Sequence, residues 1–535
     1  MVITPGSSAP RDAVTPTDLT QRLATELLHY VVGYLPSSEL LLASGVSKRF
    51  RSVITRDTRF CIPLRVDVTL GNICNGTCSR QVDHAYGVLS YAILEQLPVA
   101  MTITHGPGVL EARTELRRYT SDVSALVRSY MSDAVCRVIG TALPVLVRLG
   151  ITIPDGYSAA LQAVLLRPAP FLRELKLSRS VVAYDGEDMP ESFGHVVPTN
   201  IFAGLAPHLA RVSLRNVALA AGPIPALSSA RHVMLEYDVH APDIRISDLF
   251  PHISELHVIF EADPDLLEPP TTIEYGGLSL SRLHISDCSG CDLLDTMVDD
   301  IELASIPSLT YTSYVAWSSH WGTVMESVDG SLSMHMRDSL VPAFNFRYEV
   351  ELRAIQTGFH RVFRLEEYSL DQDGRFSELK VVAPRIIAIR LDYDFLYALM
   401  DFRCDFPVLR RLRFDLPKGA QFNQSLWFPV SKDVGKETVN PDSPRLSGEY
   451  LLFCPLLVTI ALVARGCNWS ICPRQVAFIG AAFGQLERRA ETRAHLEMVG
   501  ISFFEHSTCD LLDDVFPTIT YHLRDEHWGE NEGWL

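Results

Sequence analysis

The form L-x-x-L-x-L recurs through the middle of this 535-residue chain, and no other feature constrains the fold as much. Seven units carry it: Leu146/Leu149/Ile151, Leu172/Leu175/Leu177, Leu209/Val212/Leu214, Ala230/Val233/Leu235, Ile253/Leu256/Val258, Leu280/Leu283/Ile285 and Ile306/Leu309/Tyr311. One strand and its connector cannot cover their own apolar face. Neighbouring units therefore have to stack and share a continuous core.

Successive units lie 26, 37, 21, 23, 27 and 26 residues apart. All but one of these steps fall in the range of roughly 20–29 residues typical of leucine-rich repeats, which the units resemble. The polar segment Tyr184–Thr199 supplies the long step as a loop. Between Val315 and Arg375 the pattern is lost, and it resumes at Phe376/Leu379/Val381, Leu409/Leu412/Phe414 and Leu457/Ile460/Leu462. Residues 418–448 are rich in glycine, serine, proline and mixed charge and read as a loop excursion. The repeated leucines belong in the core. Polar residues between them, such as Arg173, Glu174, Lys176, Arg211, Ser213, Glu255, His257, Arg282, His284, Arg410, Arg411 and Arg413, are expected on the concave sheet face, where repeat proteins commonly bind partners.

Ahead of the repeats, Pro63–Leu70 alternates at period two and reads as a strand. A helix is expected over Asp83–Gln96, a strand over Val99–Thr104 and further helix over Leu110–Thr141. After the repeats, Gln475–Leu486 has the spacing of an amphipathic helix and Leu496–Phe504 that of a terminal strand.

The N-terminal stretch Leu23–Phe60 follows a different pattern. Leu27, Leu28, Val31 and Leu35 fall at helical spacing up to the break at Pro36, where a following serine can cap a second helix over Leu40–Ser44. Gly45 is suited to a left-handed close of that helix. A third helix follows, with Val46, Phe50, Val53 and Ile54 on one face. Helices this short are marginal alone and need a neighbour. The order L-x-x-E-L-L, a leucine-proline break, E-L-L, V-S-K-R-F-R and D-x-R-F resembles an F-box.

That resemblance implies docking on a Skp-type adaptor, which links the chain to a cullin and a ubiquitin-transferring subunit, through Leu23, Leu27, Leu28, Val31, Leu35, Leu40, Leu41, Val46 and Phe50. Ala24 stands where the family usually has a helix-starting proline, so the first helix is expected to begin earlier, near Thr17 or Thr20. Phe50 stands where tryptophan is frequent.

Composition narrows the function. With 47% apolar and 21% charged residues the chain is a folded protein. Its net charge of −17 disfavours nucleic acid and anionic membrane surfaces, both of which call for clustered lysine and arginine. Residues 1–16 lack the basic and apolar regions of a secretory signal and read as a flexible leader, so a cytoplasmic and/or nuclear location is expected. Eleven dispersed cysteines suit a reducing compartment without structural disulfides. Cys74, Cys78 and His84, like Cys288 and Cys291, do not supply the four ligands of a structural zinc locally. No nucleotide-binding or nucleophile motif is present, so neither a cofactor nor catalysis is expected.

The expected architecture is α/β: a leader (1–16), a three-helix F-box (17–62), a leucine-rich-repeat solenoid (63–523) and an acidic tail (524–535). The solenoid would be an irregular horseshoe of parallel strands with outer helices. This resembles the F-box and leucine-rich-repeat proteins abundant in fungi, whose role would be that of a substrate receptor in a ubiquitin ligase. The alternative is a non-enzymatic scaffold in which the helices only cap the array.

Overall fold

The computed structural model describes residues 23–105, 130–153, 159–179, 196–237, 244–260, 273–287, 302–313, 321–338, 346–366, 379–416, 452–464, 469–485, 488–503 and 510–522, apart from a few positions within those spans. The leader, most of the expected Leu110–Thr141 helix, most of the Tyr184–Thr199 loop, Cys288 and Cys291, the 418–448 excursion and the tail lie outside the described residues.

Ala24 has an extended backbone, so α1 (Thr25–Tyr34) starts immediately after it and does not continue from Thr17 or Thr20. Pro36, also non-helical, separates α1 from α2 (Ser37–Ser44), which begins without the expected serine side-chain cap. Gly45 closes α2 in the right-handed region at φ −77°, where the sequence suggested a left-handed close. Ser47 does cap α3 (Lys48–Ile54), its hydroxyl accepting from the Phe50 amide at 3.1 Å. The three helices bury Leu28, Val32, Leu40, Val53, Ile54 and Phe60, with Leu35, Phe50 and Ile62 packed alongside.

The chain divides into two compact units, Met1–Ala210 and Arg211–Leu535. In the first, β1 (Ile62–Val68) leads through α4 (Thr77–Leu94) to β2 (Val99–His105), β3 (Leu146–Ile153) and β4 (Glu174–Arg179). These four strands pair in that order, all parallel, and α4 packs on β1. Parallel neighbours require long crossovers, so strand and connector alternate as the repeat pattern demands.

The second unit carries β5 (Arg211–Arg215), β6 (His232–Tyr237), β7 (Glu255–Phe260), β8 (Arg282–Asp287) and β9 (Ser308–Ser313), paired parallel in chain order. The second and third apolar positions of each unit stand opposite those of the next. One column runs Val212, Val233, Leu256, Leu283, Leu309 and the other Leu214, Leu235, Val258, Ile285, Tyr311, all buried.

The stretch where the pattern disappears holds β10 (Leu332–Asp338), β11 (Phe346–Ala354) and β12 (His360–Glu366). Here the order inverts. β12 pairs with β9, β11 runs antiparallel between β12 and β10, and β10 pairs parallel with β13 (Ile386–Asp392). Parallel order then resumes through β14 (Arg411–Leu416), β15 (Thr459–Ala464), β16 (His495–Val499) and β17 (Ile519–His522).

The expected unit Phe376/Leu379/Val381 is corrected. Phe376 lies outside the described residues, Leu379 opens a short helix (Leu379–Val382), and Val381 is exposed. Pro384 cannot continue that helix, and the β-branched run after it forms β13, so the true unit is Ile386/Ile389/Leu391, in register with Leu412 and Phe414. Between β15 and β16, α5 (Pro473–Ala482) buries Val476 and Ile479, as its spacing predicts. Among the described residues no helix is long and apolar enough to cross a membrane.

Candidate functional site

In the N-terminal module one helix has two apolar sides. Leu28 and Val32 on α1 point into the module's core, while Leu23, Leu27, Tyr30, Val31 and Tyr34 are exposed, Leu27 at 53% and Tyr34 at 71%. Leu27, Tyr30, Val31 and Tyr34 occur at i, i+3, i+4 and i+7, so they form one stripe on the helix surface. Tyr30 and Tyr34 meet edge to face at 4.9 Å, and the Tyr34 hydroxyl donates to that of Tyr30 at 2.6 Å. Leu42 on α2 and Val46 after it are also exposed.

Of the expected adaptor-facing set, Leu23, Leu27, Val31 and Val46 are therefore open to solvent. Leu28 and Leu40 are fully buried, and the expectation that they face outward is corrected: they pack with Phe60 to hold the module together. Leu35 and Phe50 are half-buried against that core. The side chain of Leu41 lies outside the described set. Tyr30, Tyr34 and Leu42 were missed by the sequence reading, although the i+3 and i+7 spacing from Leu27 carried the signal for the two tyrosines.

Residues 21–61 match the F-box domain. The matched segment spans α1 to α3 and ends beside Ile62, the partly buried residue that opens β1. Among curated proteins none matches the chain.

The second candidate is the polar face of the sheet in the Arg211–Leu535 unit. His257 and His284 stand opposite each other on β7 and β8, and their rings stack at 3.8 Å with 9° between planes. His284 Nε2 lies 3.3 Å from Thr312 Oγ1. Burial, reinforced by the nearby Arg364 cation, lowers the His257 pKa to about 4; burial, His257 and Arg364 lower that of His284 to about 3. Both rings are therefore neutral at pH 7.

Glu349, on the inverted strand β11, is buried between two guanidiniums: Arg337 Nε donates to Oε1 at 2.7 Å and Arg364 Nε to Oε2 at 3.0 Å. Asp415 repeats the arrangement, accepting from Arg390 Nε at 2.5 Å and Arg413 Nε at 2.8 Å. Two cations on each buried carboxylate offset its desolvation. Ligand atoms of His335, Asp392 and Asp415 lie within 4.8 Å of one another, a spacing suited to a metal ion. Asp415 already accepts from two arginines, however, and they would repel a second cation there.

Other polar residues anticipated on this face also pair. Glu255 lies 2.9 Å from His232 Nδ1 and 3.5 Å from Arg282, and in the first unit Arg148 lies 3.5 Å from Glu174. Arg337, Glu349 and Arg364 escaped the sequence reading because they fall where the repeat could not be followed; the period-two alternation of Phe346–Arg353 was their signal. The thiol candidates do not converge. Cys78 is buried on the inner side of α4, whereas Cys74 and His84 are exposed.

Proposed function

We propose that this protein is a substrate receptor of a cullin-type ubiquitin ligase. Its F-box would dock a Skp-type adaptor and its array, read as a degenerate leucine-rich-repeat solenoid, would bind a protein substrate. One observation carries the reading: the segment that matches the F-box also presents an exposed apolar stripe on the side of α1 opposite the module's own core. Exposed apolar residues in a row favour an interface. Leu23, Leu27, Val31 and Val46 are the proposed contacts, with Tyr30, Tyr34 and Leu42 added. Ubiquitin transfer belongs to the partner subunits, and the receptor raises the effective concentration of substrate near them. A cytoplasmic or nuclear location accords with this role.

The scaffold alternative draws support from Phe60 and Ile62, which join the module's core and bind it to the start of β1, as a cap would. Affinity capture of the full chain from cells, scored for adaptor and cullin, separates the two readings. Recovery of both is expected; recovery of neither would leave the helices as a cap.

A further inference from the structure

Three adjacent strands place Arg337, Glu349 and Arg364 in one row. Arg337 on β10 stands opposite Glu349 on β11, which stands opposite Arg364 on β12. The Glu349 side chain is 2% exposed, whereas those of Arg337 and Arg364 are 45% and 31% exposed. Arg337 gives Nε and Nη2 to one carboxylate oxygen and Arg364 gives Nε to the other. Among the described residues, Arg337 Nη1 and both Nη atoms of Arg364 donate to nothing. The buried glutamate therefore fixes two guanidiniums while leaving their outer donors facing solvent.

We propose that Arg337 and Arg364 form a carboxylate clamp through which the chain binds an acidic segment of its protein partner. The row carries two positive charges and one negative, so a single carboxylate neutralises it; a phosphate dianion would leave excess negative charge beside the buried Glu349. The planar fork of a guanidinium matches a carboxylate in two-point contact. Because Glu349 already orders both side chains, little rotamer freedom remains to be lost on binding. The neighbouring His257 and His284 rings add no charge near pH 7. In a chain of net charge −17 an acidic segment is repelled by most of the surface, which directs it to this row. Calling the bound partner a substrate rests on the receptor reading above; the clamp itself does not.

The test is fluorescence anisotropy of the full-length protein at low salt with fluorescein-labelled hexaglutamate, and hexaglutamine as the uncharged comparison. Hexaglutamate is expected to bind and hexaglutamine not to. Arg364→Ala is expected to weaken binding by about tenfold or more, the scale of a lost charged hydrogen bond. Arg282→Ala, on the same face but outside the row, should change binding by less than about twofold. Because Arg364→Ala strips a partner from a buried carboxylate, Arg364→Lys is measured too; it keeps a cation beside Glu349 and should weaken the probe about fivefold.

Equal binding of the two peptides, or wild-type affinity in both folded Arg364 variants, overturns the proposal. Displacement of hexaglutamate by inorganic phosphate more readily than by acetate overturns the choice of carboxylate. Adaptor capture is scored on the same preparations. Loss of probe binding with adaptor retained in the Arg364 variants supports the clamp alone, and probe binding by a chain that captures no adaptor would refute only the receptor role.

Discussion

Arg361 stands directly opposite Leu309 in the β9–β12 pairing, in a column where the neighbouring strands place Leu256, Leu283, Leu352 and Met334. It is fully buried. Its guanidinium donates to the carbonyls of Leu303 and Ile306, both at 2.9 Å, and of His360 at 3.0 Å, and reaches Ser327 Oγ at 3.2 Å. Leu303 opens a short 3-10 turn and Ile306 follows it; the Leu303 carbonyl already accepts from the Ile306 amide at 3.2 Å, and the arginine adds a second donor there and one to the Ile306 carbonyl. Burial lowers its pKa to about 10, and it remains a cation at pH 7.

Replacing Arg361 by methionine keeps apolar bulk but removes every donor. Each buried carbonyl left without a partner costs about 1–3 kcal/mol, so the variant should lose roughly 2–5 kcal/mol in urea unfolding. Wild-type stability in Arg361→Met would mean that these hydrogen bonds contribute nothing net.

On α1 the two leucines should behave oppositely. Leu27→Asp with Val31→Asp places carboxylates on the exposed stripe and should abolish adaptor capture without unfolding the chain, because a buried unpaired charge costs several kcal/mol only in the complex. Leu28→Asp puts that charge inside the module and should unfold it, seen as protease sensitivity of residues 23–60. Adaptor capture by the Leu27/Val31 variant at wild-type level would remove the stripe from the interface.

The strand register predicts a contrast between neighbours. Leu283 is fully buried and Leu283→Ala should destabilise by about 2–5 kcal/mol. Arg282, whose side chain is 61% exposed, should tolerate alanine within about 0.5 kcal/mol. Equal losses at the two positions, measured by denaturant midpoint, would contradict the assignment of faces.

His257 and His284 make stability depend on pH. Their folded pKa values, about 4 and about 3, lie below the 6.5 of a free imidazole, so below pH 6.5 the unfolded chain takes up protons that the folded chain refuses. Stability from these rings is complete above about pH 6.5 and declines as pH falls towards 4. Tm should therefore drop between pH 7 and 5.5, above the range in which ordinary carboxylates titrate, and His284→Gln should flatten that drop. A Tm unchanged over this interval in the wild type would count against two neutral stacked imidazoles.

The repeated leucines were legible in the sequence because burial on one face of a strand imposes a period of two, and because each unit needs the next to cover it. Val212 to Tyr311 could thus be placed in their columns before any pairing was known. The F-box was legible for a similar reason: a proline break and apolar spacing are local signals. Sidedness was not. Leu27 and Leu28 are equally apolar and adjacent, and only the packing of Leu28 into the cluster it shares with Val53, Ile54 and Phe60 decides which one remains exposed. The inversion at β10–β12 was equally hidden, since strand direction is set by hydrogen bonds to segments far along the chain and leaves no mark on composition. A buried arginine in a leucine column reads as a break in the repeat until the carbonyls around it are in place. Sequence alone therefore determined which residues seek burial and at what period; tertiary structure decided which of two apolar faces finds a partner and which distant charges meet, because both depend on contacts between segments remote in the chain.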